Sequence, residues 1–428
     1  MKNDSNQTNS FTSMMYMEQR KSKILMILIC VLMVVLLTTE LCYAKKKIGG
    51  ENNELKAGID AAIESAIEEE RIVGTVVVVM RNGKMVYRRA AGFADREEDR
   101  PMQVNEIFRL ASVSKPIVTV AALRLIDKGR LNLDDPVTQY LPDFQPQLED
   151  GSTPDITIKQ LLTHTAGLSY GFLEPSDGPY HQANVSDGMD QPGLSMEEEL
   201  SRIVTAGLAY EPGTNWGYSV AIDVLGAVIE EVTQTSLHKA VKRLVTRPAG
   251  MVDTAFSATD SDRLAVPYAD GTPPVLMIDP YVLPFLGLAG ISFSPSRVFD
   301  STSFPSGGAG MIGTAEDIAK LLEIVRSGGG KLLKLDTVRA MLTNQIGDFV
   351  TFYGPGWSFG YGGALVADPE AAGVPYSQGT WSWAGVYGHN WFVDLKLGLV
   401  VVIMTNTAVE GMSGQFPDDV RDAVYEQE

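Results

Sequence analysis

Three serines lie in sequence patterns that could supply a nucleophile for acyl transfer. Ser112 and Ser236 each precede a lysine by three residues, Lys115 and Lys239, and Ser169 stands within a Gly-x-Ser-x-Gly pattern. A serine hydroxyl needs a neighbouring base to take its proton, and both patterns provide one only in a particular structural setting. The sequence around each serine therefore decides which of them is the candidate.

Ser169 and Ser236 have simpler structural explanations. Gly-x-Ser-x-Gly exposes its serine on a sharp turn from a buried strand into a helix, but residues 158–163 read as a helix and a polar loop follows Ser169. Ser236 opens a polar helix, where serine is a common N-terminal cap. We therefore expect Ser169 to be a turn residue, Ser236 to be a cap and Lys239 to be a surface charge.

Ser112 stands where a buried helix begins. Pro116 has no N–H and is tolerated only in the first turn of a helix, which places the helix start at or just beyond Ser112. Ser112 and Lys115 then share one face. The apolar run 117–126 buries this helix, and burial disfavours the charged form of Lys115, so that it can accept a proton. The free N–H groups of the helix start would stabilise an oxyanion.

The remaining sequence predicts an α+β protein whose sheet comes from both ends of the chain. Two β-rich runs flank Asn82-Gly83, which is a strong hairpin signal. Helical patterns occupy 53–71, 112–129 and 156–246, Thr314 and Asp317 cap a helix to about Arg326, strands return at 357–366, 380–386, 390–394 and 398–405, and a last helix starts near Pro417. We predict an α/β domain made of residues 45–111 and 305–428, interrupted by a helical domain at 112–304.

The N-terminus reads as a targeting segment rather than as part of the fold. An uncharged apolar run at 24–37 follows basic residues, and Cys42 and Ala44 place small residues before a possible cleavage point. This pattern predicts a signal peptide at residues 1–44 and an exported, periplasmic or extracellular protein. The alternative is a membrane anchor that is never cut. Both cysteines, Cys30 and Cys42, lie in this segment, so the mature chain would use neither a disulfide nor a thiol nucleophile.

The composition excludes several classes of function. The chain has 428 residues, with 35 Lys and Arg against 53 Asp and Glu, a formal charge of -18. Nucleic-acid binding and docking to anionic lipid both need a surplus of basic residues, so we expect no nucleic-acid partner and no stable membrane association after cleavage. Four His and two Cys show no metal-ligand spacing. We therefore expect no metal and no cofactor.

Four segments in order give the chain a specific resemblance. Residues 108–116 (FRLASVSKP) resemble the active-site helix of class C β-lactamases and their relatives. Residues 161–168 (LLTHTAGL), 211–220 (EPGTNWGYSV) and 383–394 (WAGVYGHNWFVD) resemble the later motifs of that superfamily. The resemblance runs from about 55 to 425. It implies the β-lactamase/transpeptidase-like fold, an antiparallel sheet flanked by terminal helices with an inserted all-helical domain.

The resemblance also implies catalytic roles. Ser112 would be the acylated nucleophile, with Lys115 and Tyr218 as its proton relay. A phenol beside a cationic lysine has its anion stabilised, so either Tyr218 or Lys115 could take the proton. The N–H groups of Ser112 and Val386 would form the oxyanion hole.

Other residues of the motifs are expected at the substrate or in the loops that support it. Trp383 and Gly385 would line the substrate edge, and His389 could touch the substrate. His164 is expected to be a structural hydrogen-bonding residue in a tight loop. Residues 171–194 and 266–310 are long, poorly periodic segments beside the motifs, and we expect them to shape the acyl and alcohol pockets.

Two departures from the lactamase pattern bear on the substrate. The family's antibiotic hydrolases carry Lys-Thr-Gly where this chain has Trp383-Ala-Gly385, and Val220 replaces the asparagine of Tyr-x-Asn. Both changes remove polar anchors, so the pocket suits an uncharged ester better than an anionic lactam. The pattern is most similar to family VIII carboxylesterases and related acyltransferases. We expect a small-molecule ester or amide as substrate and short-chain acyl esters in particular.

Two other functions compete with the esterase interpretation. The first is a β-lactamase or a D-Ala carboxypeptidase/transpeptidase that recognises penicillins, against which the missing Lys-Thr-Gly counts. The second is a non-catalytic penicillin-binding sensor, against which the intact set of Ser112, Lys115 and Tyr218 counts.

Overall fold

An antiparallel sheet of eight strands forms the centre of the fold, in the order β10-β11-β12-β13-β14-β1-β2-β3. The strands of the chain are β1 Gly74–Arg81, β2 Lys84–Asp95, β3 Arg100–Pro101, β4 Phe108–Arg109, β5 Tyr268–Ala269, β6 Val275–Leu276, β7 Tyr281–Leu283, β8 Ile291–Phe293, β9 Ile312–Gly313, β10 Trp357–Phe359, β11 Ala364–Val366, β12 Trp381–Gly385, β13 His389–Asp394 and β14 Leu399–Thr405. The large sheet thus joins both ends of the chain, which confirms the predicted α+β, β-lactamase/transpeptidase-like fold class.

Helices cover both faces of this sheet and fill the middle of the chain. They are α1 53–68, α2 Ser114–Asp127, α3 Ile158–Thr163, α4 Pro179–Gln182, α5 Met196–Ala206, α6 Ala221–Thr233, α7 Leu237–Val241, α8 Arg247–Ala249, α9 Ala315–Arg326, α10 Leu335–Met341, α11 Pro369–Ala372, α12 Ala408–Ser413 and α13 Gln415–Tyr425. The helices from α2 to α8 lie between the two chain segments that build the sheet. The domain boundaries at 111/112 and 304/305 stay a prediction.

The structure, a computed structural model, describes residues 14–23, 26, 33, 53–258 and 262–426. Residues 14–23 are helical and exposed. Both cysteines, the predicted cleavage point after Ala44 and most of the apolar run 24–37 lie outside the described residues. Within the described ranges, no helix is long and apolar enough to cross a bilayer.

Strand β1 is buried on both faces because its valines alternate between two packed layers. Val76 and Val78 belong to the main core, which also contains apolar residues of α2 and α9. On the other face, Tyr87 stands opposite Val79 in the ladder and donates to Asp60 of α1 at 2.6 Å. The terminal helices α1 and α13 therefore cover one face of the sheet, with Gly58 set against Ala423.

Several predicted elements are confirmed, and two are wrong in detail. Asn82 and Gly83 both have positive φ and join β1 to β2, as the hairpin signal predicts. The Thr314 hydroxyl accepts the N–H of Asp317 at the start of α9. The run 357–366 is not one strand but the hairpin β10–β11, because the chain turns through four residues, Gly360 to Gly363, between them. The inserted domain at 112–304, predicted to be all-helical, also contains the short strands β5 to β8, because the poorly periodic segment 266–310 forms small two-stranded sheets.

Candidate active site

Ser112 lies on a tight turn immediately before helix α2. The turn is a 3-10 helix over Ala111–Val113, and α2 begins at Ser114, so the helix start predicted from Pro116 is confirmed. Ala111 is fully buried and has φ +44, a left-handed conformation that residues with a side chain rarely adopt. The main core holds this strained turn in place through Leu110 and Val113, two of its buried residues.

The structure brings the three predicted catalytic side chains together. The Tyr218 hydroxyl donates to Oγ of Ser112 at 2.6 Å, and Nζ of Lys115 lies 3.2 Å from the same oxygen. Lys115 also donates to the Tyr170 hydroxyl and to the Gly308 carbonyl, both at 2.9 Å. The lysine is 1% exposed. It is therefore held by neutral oxygens, without a carboxylate in direct contact among the described residues.

Burial changes the acidity of the two groups that contact Ser112. It lowers the pKa of Lys115 to about 7, although the nearby carboxyls of Asp223 and Asp187 pull that pKa upward. Burial raises the pKa of Tyr218, a shift that its hydrogen bond to Ser112 opposes only in part. The lysine neighbour therefore does not lower the pKa of the Tyr218 phenol, although the sequence suggested that it could. Lys115 is the member of this pair that changes charge near neutral pH.

Tyr170 is a member of the cluster that sequence reasoning missed. It is buried, and its ring lies 5.0 Å from the ring of Tyr218. The sequence did contain an indication of this residue. Tyr170 occupies the fourth position of the Gly-x-Ser-x-Gly pattern, which was interpreted only as a turn. The Ser169 hydroxyl of that pattern contacts only the Tyr170 carbonyl, at 3.4 Å. Gly167 at its start has φ +81, and a Cβ there would lie 2.2 Å from the carbonyl oxygen of Tyr210.

The other serine-lysine pattern has no catalytic geometry. Ser236 occupies the N-cap position of α7, as predicted, but its side chain makes no capping hydrogen bond. The N–H of Leu237 instead donates to the Glu230 carboxylate at 2.5 Å. Lys239 is exposed, as expected for a surface charge.

A buried carboxyl group, Asp223, supports the lysine from behind. Its Oδ1 accepts the Ser306 hydroxyl at 2.5 Å and the Gly308 N–H at 3.1 Å. The carbonyl of the same glycine accepts Lys115. A Cβ on Gly308 would lie 2.6 Å from Oδ2 of Asp223 and 3.0 Å from the Tyr170 hydroxyl, so only glycine fits between them. Burial raises the pKa of Asp223, while its hydrogen bond to Ser306 lowers it.

The end of strand β12 lies against the turn that carries Ser112. A Cβ on Gly385 would lie 2.5 Å from the Leu110 carbonyl oxygen and 3.1 Å from Val113, so the absence of a side chain permits this approach. The next residue, Val386, packs in one small core with Ala111. Its N–H donates to no hydrogen bond between described residues, as an oxyanion-hole donor requires.

His389 is the predicted substrate contact that the structure does not bring to the site. It is 1% exposed, its ring packs edge-on against Phe108, and its Nε2 lies 2.7 Å from the Arg109 carbonyl oxygen. Burial lowers its pKa to about 4. The side chain is therefore placed inside the protein behind Gly385, where it supports the strand pair β12–β13 rather than the cleft.

His164 and Trp383 both pack against Tyr218. His164 ends α3 in a left-handed conformation, and its Nδ1 lies 3.3 Å from the Ser219 hydroxyl, as expected for a structural residue in a tight loop. Trp383 is 4% exposed, and its ring lies 5.2 Å from the ring of Tyr218. In the described part of the chain, no cluster of three or more metal-ligating side chains is present.

The segment 171–194 contributes more to the interior than the sequence suggests. Residues 185–189 are buried, and the Asp187 carboxylate accepts the N–H of Gly171 at 3.0 Å. Glu199 of α5 accepts the N–H of Ser186 at 3.1 Å, and burial raises its pKa to about 9. This segment therefore forms a buried layer close to Lys115, in addition to any part it takes in a pocket.

Comparison of the sequence with known proteins identifies the family of this chain. Residues 59–426 match the β-lactamase family. The chain belongs to that family. Esterase EstB from Burkholderia gladioli is 49% identical over 374 residues, which cover 87% of this chain and 95% of that protein. Family membership and motif resemblance agree, and the chain is a carboxylesterase of the β-lactamase superfamily, as predicted.

Solved structures of similar proteins agree with this fold. The structure of EstCE1, described as a hydrolase with promiscuous acyltransferase activity, has a TM-score of 0.84 and 43% identity, and the match covers 87% of this chain and 99% of that one. The octameric penicillin-binding protein homologue from Pyrococcus abyssi has a TM-score of 0.65 at 19% identity, covering 85% and 75% of the two chains. The second likeness shows the fold alone.

Proposed function

We propose that this protein is an exported esterase that hydrolyses small, uncharged, short-chain acyl esters through an acyl-enzyme on Ser112. The observation that carries the proposal is the pair of contacts on Oγ of Ser112, from Tyr218 at 2.6 Å and Lys115 at 3.2 Å. The relatives named as esterases support the reaction class. Export rests on the sequence pattern of residues 1–44.

Acylation begins with a proton leaving Ser112. A Lys115 amine whose pKa is about 7 is neutral in a large fraction of molecules at neutral pH and can accept the hydroxyl proton. Oγ then attacks the ester carbonyl carbon, and the carbonyl oxygen becomes an oxyanion. The N–H groups of Ser112 and Val386 stabilise that charge. No other titratable side chain contacts Oγ among the described residues.

Collapse of the tetrahedral intermediate requires a proton on the leaving alcohol. Tyr218 keeps its proton at neutral pH because burial raises its pKa. It donates that proton to the departing alkoxide and recovers one from protonated Lys115 through the Tyr170 hydroxyl, which accepts from Lys115 at 2.9 Å and is hydrogen-bonded to Tyr218. Water then attacks the acyl group with the same proton transfers in reverse order, which releases the acid and restores Ser112.

The residues around Tyr218 favour an uncharged substrate. Trp383 stands at the position of the lysine in Lys-Thr-Gly, and Val220 is fully buried where the family pattern has an asparagine. Among the described residues, Lys115 is the one group in contact with Ser112 or Tyr218 that can carry a positive charge, and in its protonated form it already donates to three oxygens. A carboxylate in this site would lack a charged partner, which is costly in a buried environment.

The test is the mass of the intact protein after exposure to three acylating or phosphonylating reagents. Wild type and Ser112→Ala are each incubated with p-nitrophenyl butyrate, a penicillin and a fluorophosphonate, with Ser169→Ala as the matched control. We expect fluorophosphonate adducts on wild type and Ser169→Ala, none on Ser112→Ala, and rapid turnover of the ester. An adduct that persists on Ser112→Ala would overturn the assignment of the nucleophile.

A further inference from the structure

Aromatic rings pack around Tyr218, the residue that donates to the nucleophile. The ring of Phe352 lies 5.9 Å from Tyr218, 5.8 Å from Trp383 and 5.3 Å from Trp216. The ring of Tyr353 lies 4.5 Å from Phe352 and 5.9 Å from Trp383. The loop after α10 thus places Phe352 beside the residue that contacts the nucleophile, and Tyr353 beside Phe352.

These two rings differ from the rings beneath them in exposure. Trp216, Tyr218 and Trp383 are all less than 9% exposed, whereas Phe352 is 57% exposed and Tyr353 is 38% exposed. Tyr353 already stacks on Trp357 at 4.8 Å, and the exposed parts of the two rings are available for a further ring. The neighbouring Val350 is 68% exposed as well, so the rim of this loop is apolar.

A second series of aromatic contacts also begins at Tyr218. Its ring contacts Tyr170, Tyr170 stacks on Phe172 at 4.8 Å, and Phe172 meets Phe285 edge-on at 6.1 Å. Phe285 belongs to the connection between β7 and β8, where Leu286 is 72% exposed. No residue from 280 to 296 carries a charge. Two apolar edges therefore start at the residue that contacts the nucleophile, and the more aromatic of them contains Phe352.

We propose that Phe352 and Tyr353 form an aromatic subsite that binds a phenyl-sized ring attached to one side of the scissile ester. The inference rests on the proposed function, since it uses Ser112 as the nucleophile, and it extends that function from short acyl esters to esters that also carry an aromatic group. Phe352 determines specificity in this arrangement and takes no part in proton transfer.

An aromatic ring gains more here than an aliphatic group of equal size. Aromatic pairs in offset or edge-to-face contact are worth about 0.5–1.5 kcal/mol beyond the apolar area they bury, which corresponds to about a two- to tenfold difference in kcat/KM. A saturated ring buries similar area but lacks this contribution. The comparison between a phenyl and a cyclohexyl substrate therefore isolates the effect of the aromatic subsite from general hydrophobicity.

The experiment measures kcat/KM for matched esters with full-length protein. One series contains benzyl acetate, cyclohexylmethyl acetate and ethyl acetate, and the other contains methyl phenylacetate, methyl cyclohexylacetate and methyl butyrate. The first series places the ring on the alcohol side and the second places it on the acyl side. We expect wild type to prefer the phenyl over the cyclohexyl ester by about two- to tenfold in one series.

Three variants identify the source of that preference. Phe352→Leu should remove the preference, chiefly by raising KM for the phenyl ester, so that kcat/KM falls more for the phenyl ester than for the cyclohexyl and ring-free esters of the same series. Phe352→Tyr should restore the preference, since it keeps a ring. Val350→Ala, in the same exposed loop, is the control and should behave as wild type. Fluorophosphonate labelling of Ser112 and the melting temperature show that each variant is folded and active.

The outcomes separate this proposal from the esterase proposal. If wild type hydrolyses none of the six esters, the proposed function fails. If it hydrolyses the small esters but shows no phenyl preference in either series, the aromatic subsite is wrong while the esterase stands. A preference that survives Phe352→Leu also overturns the subsite, because another part of the cleft would then be its source.

Discussion

The carboxylate of Asp223 accepts the N–H of Gly308 at 3.1 Å, while the carbonyl of that glycine accepts Nζ of Lys115 at 2.9 Å. One backbone residue therefore connects a buried carboxyl group to the buried lysine. The connection fixes the distance between Lys115 and Ser112, and the charge of Asp223 raises the pKa of Lys115. Asp223 contacts Ser306 and Gly308 and acts on Ser112 only through Lys115, so it is a positioning residue.

Asp223→Asn should therefore change both the rate and its dependence on pH. The amide keeps the shape of the side chain but removes a charge-assisted contact worth about 1.5–3 kcal/mol, so we expect kcat/KM to fall by roughly tenfold to a hundredfold. Loss of the negative charge should also lower the pKa of Lys115 and move the acidic limb of the profile to lower pH. A lower rate with an unmoved profile would indicate a purely structural role.

The wild-type pH profile should report Lys115 directly. The neutral amine is the reactive form, and its pKa is about 7, so kcat/KM for an uncharged ester should rise with pH through a midpoint near 7 and then level off. Burial lowers the pKa of His164 and brings that of His389 to about 4, so neither of these histidines would produce this midpoint. Stopped assays from pH 5 to pH 9 test the profile, and a flat response across this range would contradict it.

Replacement of the three candidate serines should affect activity very unequally. Ser112→Ala should reduce kcat on the order of 10⁴- to 10⁶-fold, because it removes the nucleophile. Ser169→Ala loses only a 3.4 Å contact to a backbone carbonyl, and Ser236→Ala loses no capping hydrogen bond, so both should keep most of their activity. Steady-state assays with p-nitrophenyl butyrate measure the difference. A comparable loss in Ser169→Ala would restore Gly-x-Ser-x-Gly as the active motif.

The sequence predicts those contacts of the site that form between residues close together in the chain. Ser112 and Lys115 are three residues apart at a helix start, and Pro116 fixes where that start must be, so their contact follows from the sequence alone. Tyr218 lies 106 residues from Ser112 in the chain. Its place in the site came from the motif resemblance, because nothing in its local sequence indicates which residue it contacts.

The residues that were missed depend on contacts between distant segments. Tyr170, Asp223 and Phe352 come from three different parts of the chain and acquire their roles only when the helices and the loop after α10 pack around Lys115 and Tyr218. His389 is the opposite case, a residue for which the sequence predicted a contact that the structure does not show. Its position next to a motif suggested a substrate contact, but the register of β13 against β12 turns it toward Arg109 and away from the cleft.

Export predicts a defined N-terminus for the mature protein. The apolar run 24–37 and the small residues Cys42 and Ala44 favour cleavage after Ala44. N-terminal sequencing of protein recovered from outside the cytoplasm of its native host should therefore begin at Lys45. Substitution of Ala44 by a bulky residue should cause the uncut precursor to accumulate. A mature cytosolic protein that still begins at Met1 would contradict export.

The choice between ester and lactam substrates depends on which side chain is available to bind the carboxylate that a lactam carries. A β-lactam antibiotic carries a carboxylate, and the family's Lys-Thr-Gly lysine is the natural partner for it, but this chain has Trp383 there. The indole is 4% exposed and packs among Tyr218, Phe352 and Phe359. A carboxylate near these rings loses hydration without gaining an ion pair.

The magnitude of this effect can be measured on a single preparation. Loss of one charge-assisted contact costs about 1.5–3 kcal/mol, which corresponds to roughly tenfold to a hundredfold in kcat/KM. We therefore expect kcat/KM for a chromogenic cephalosporin to be lower than that for p-nitrophenyl butyrate by at least this factor. Equal or higher cephalosporin turnover would restore the lactamase interpretation. Trp383→Lys is an informative second variant because it should raise the lactam-to-ester ratio. Its absolute activity and melting temperature should both fall, since the new ammonium group would be buried among aromatic rings that now pack against the indole.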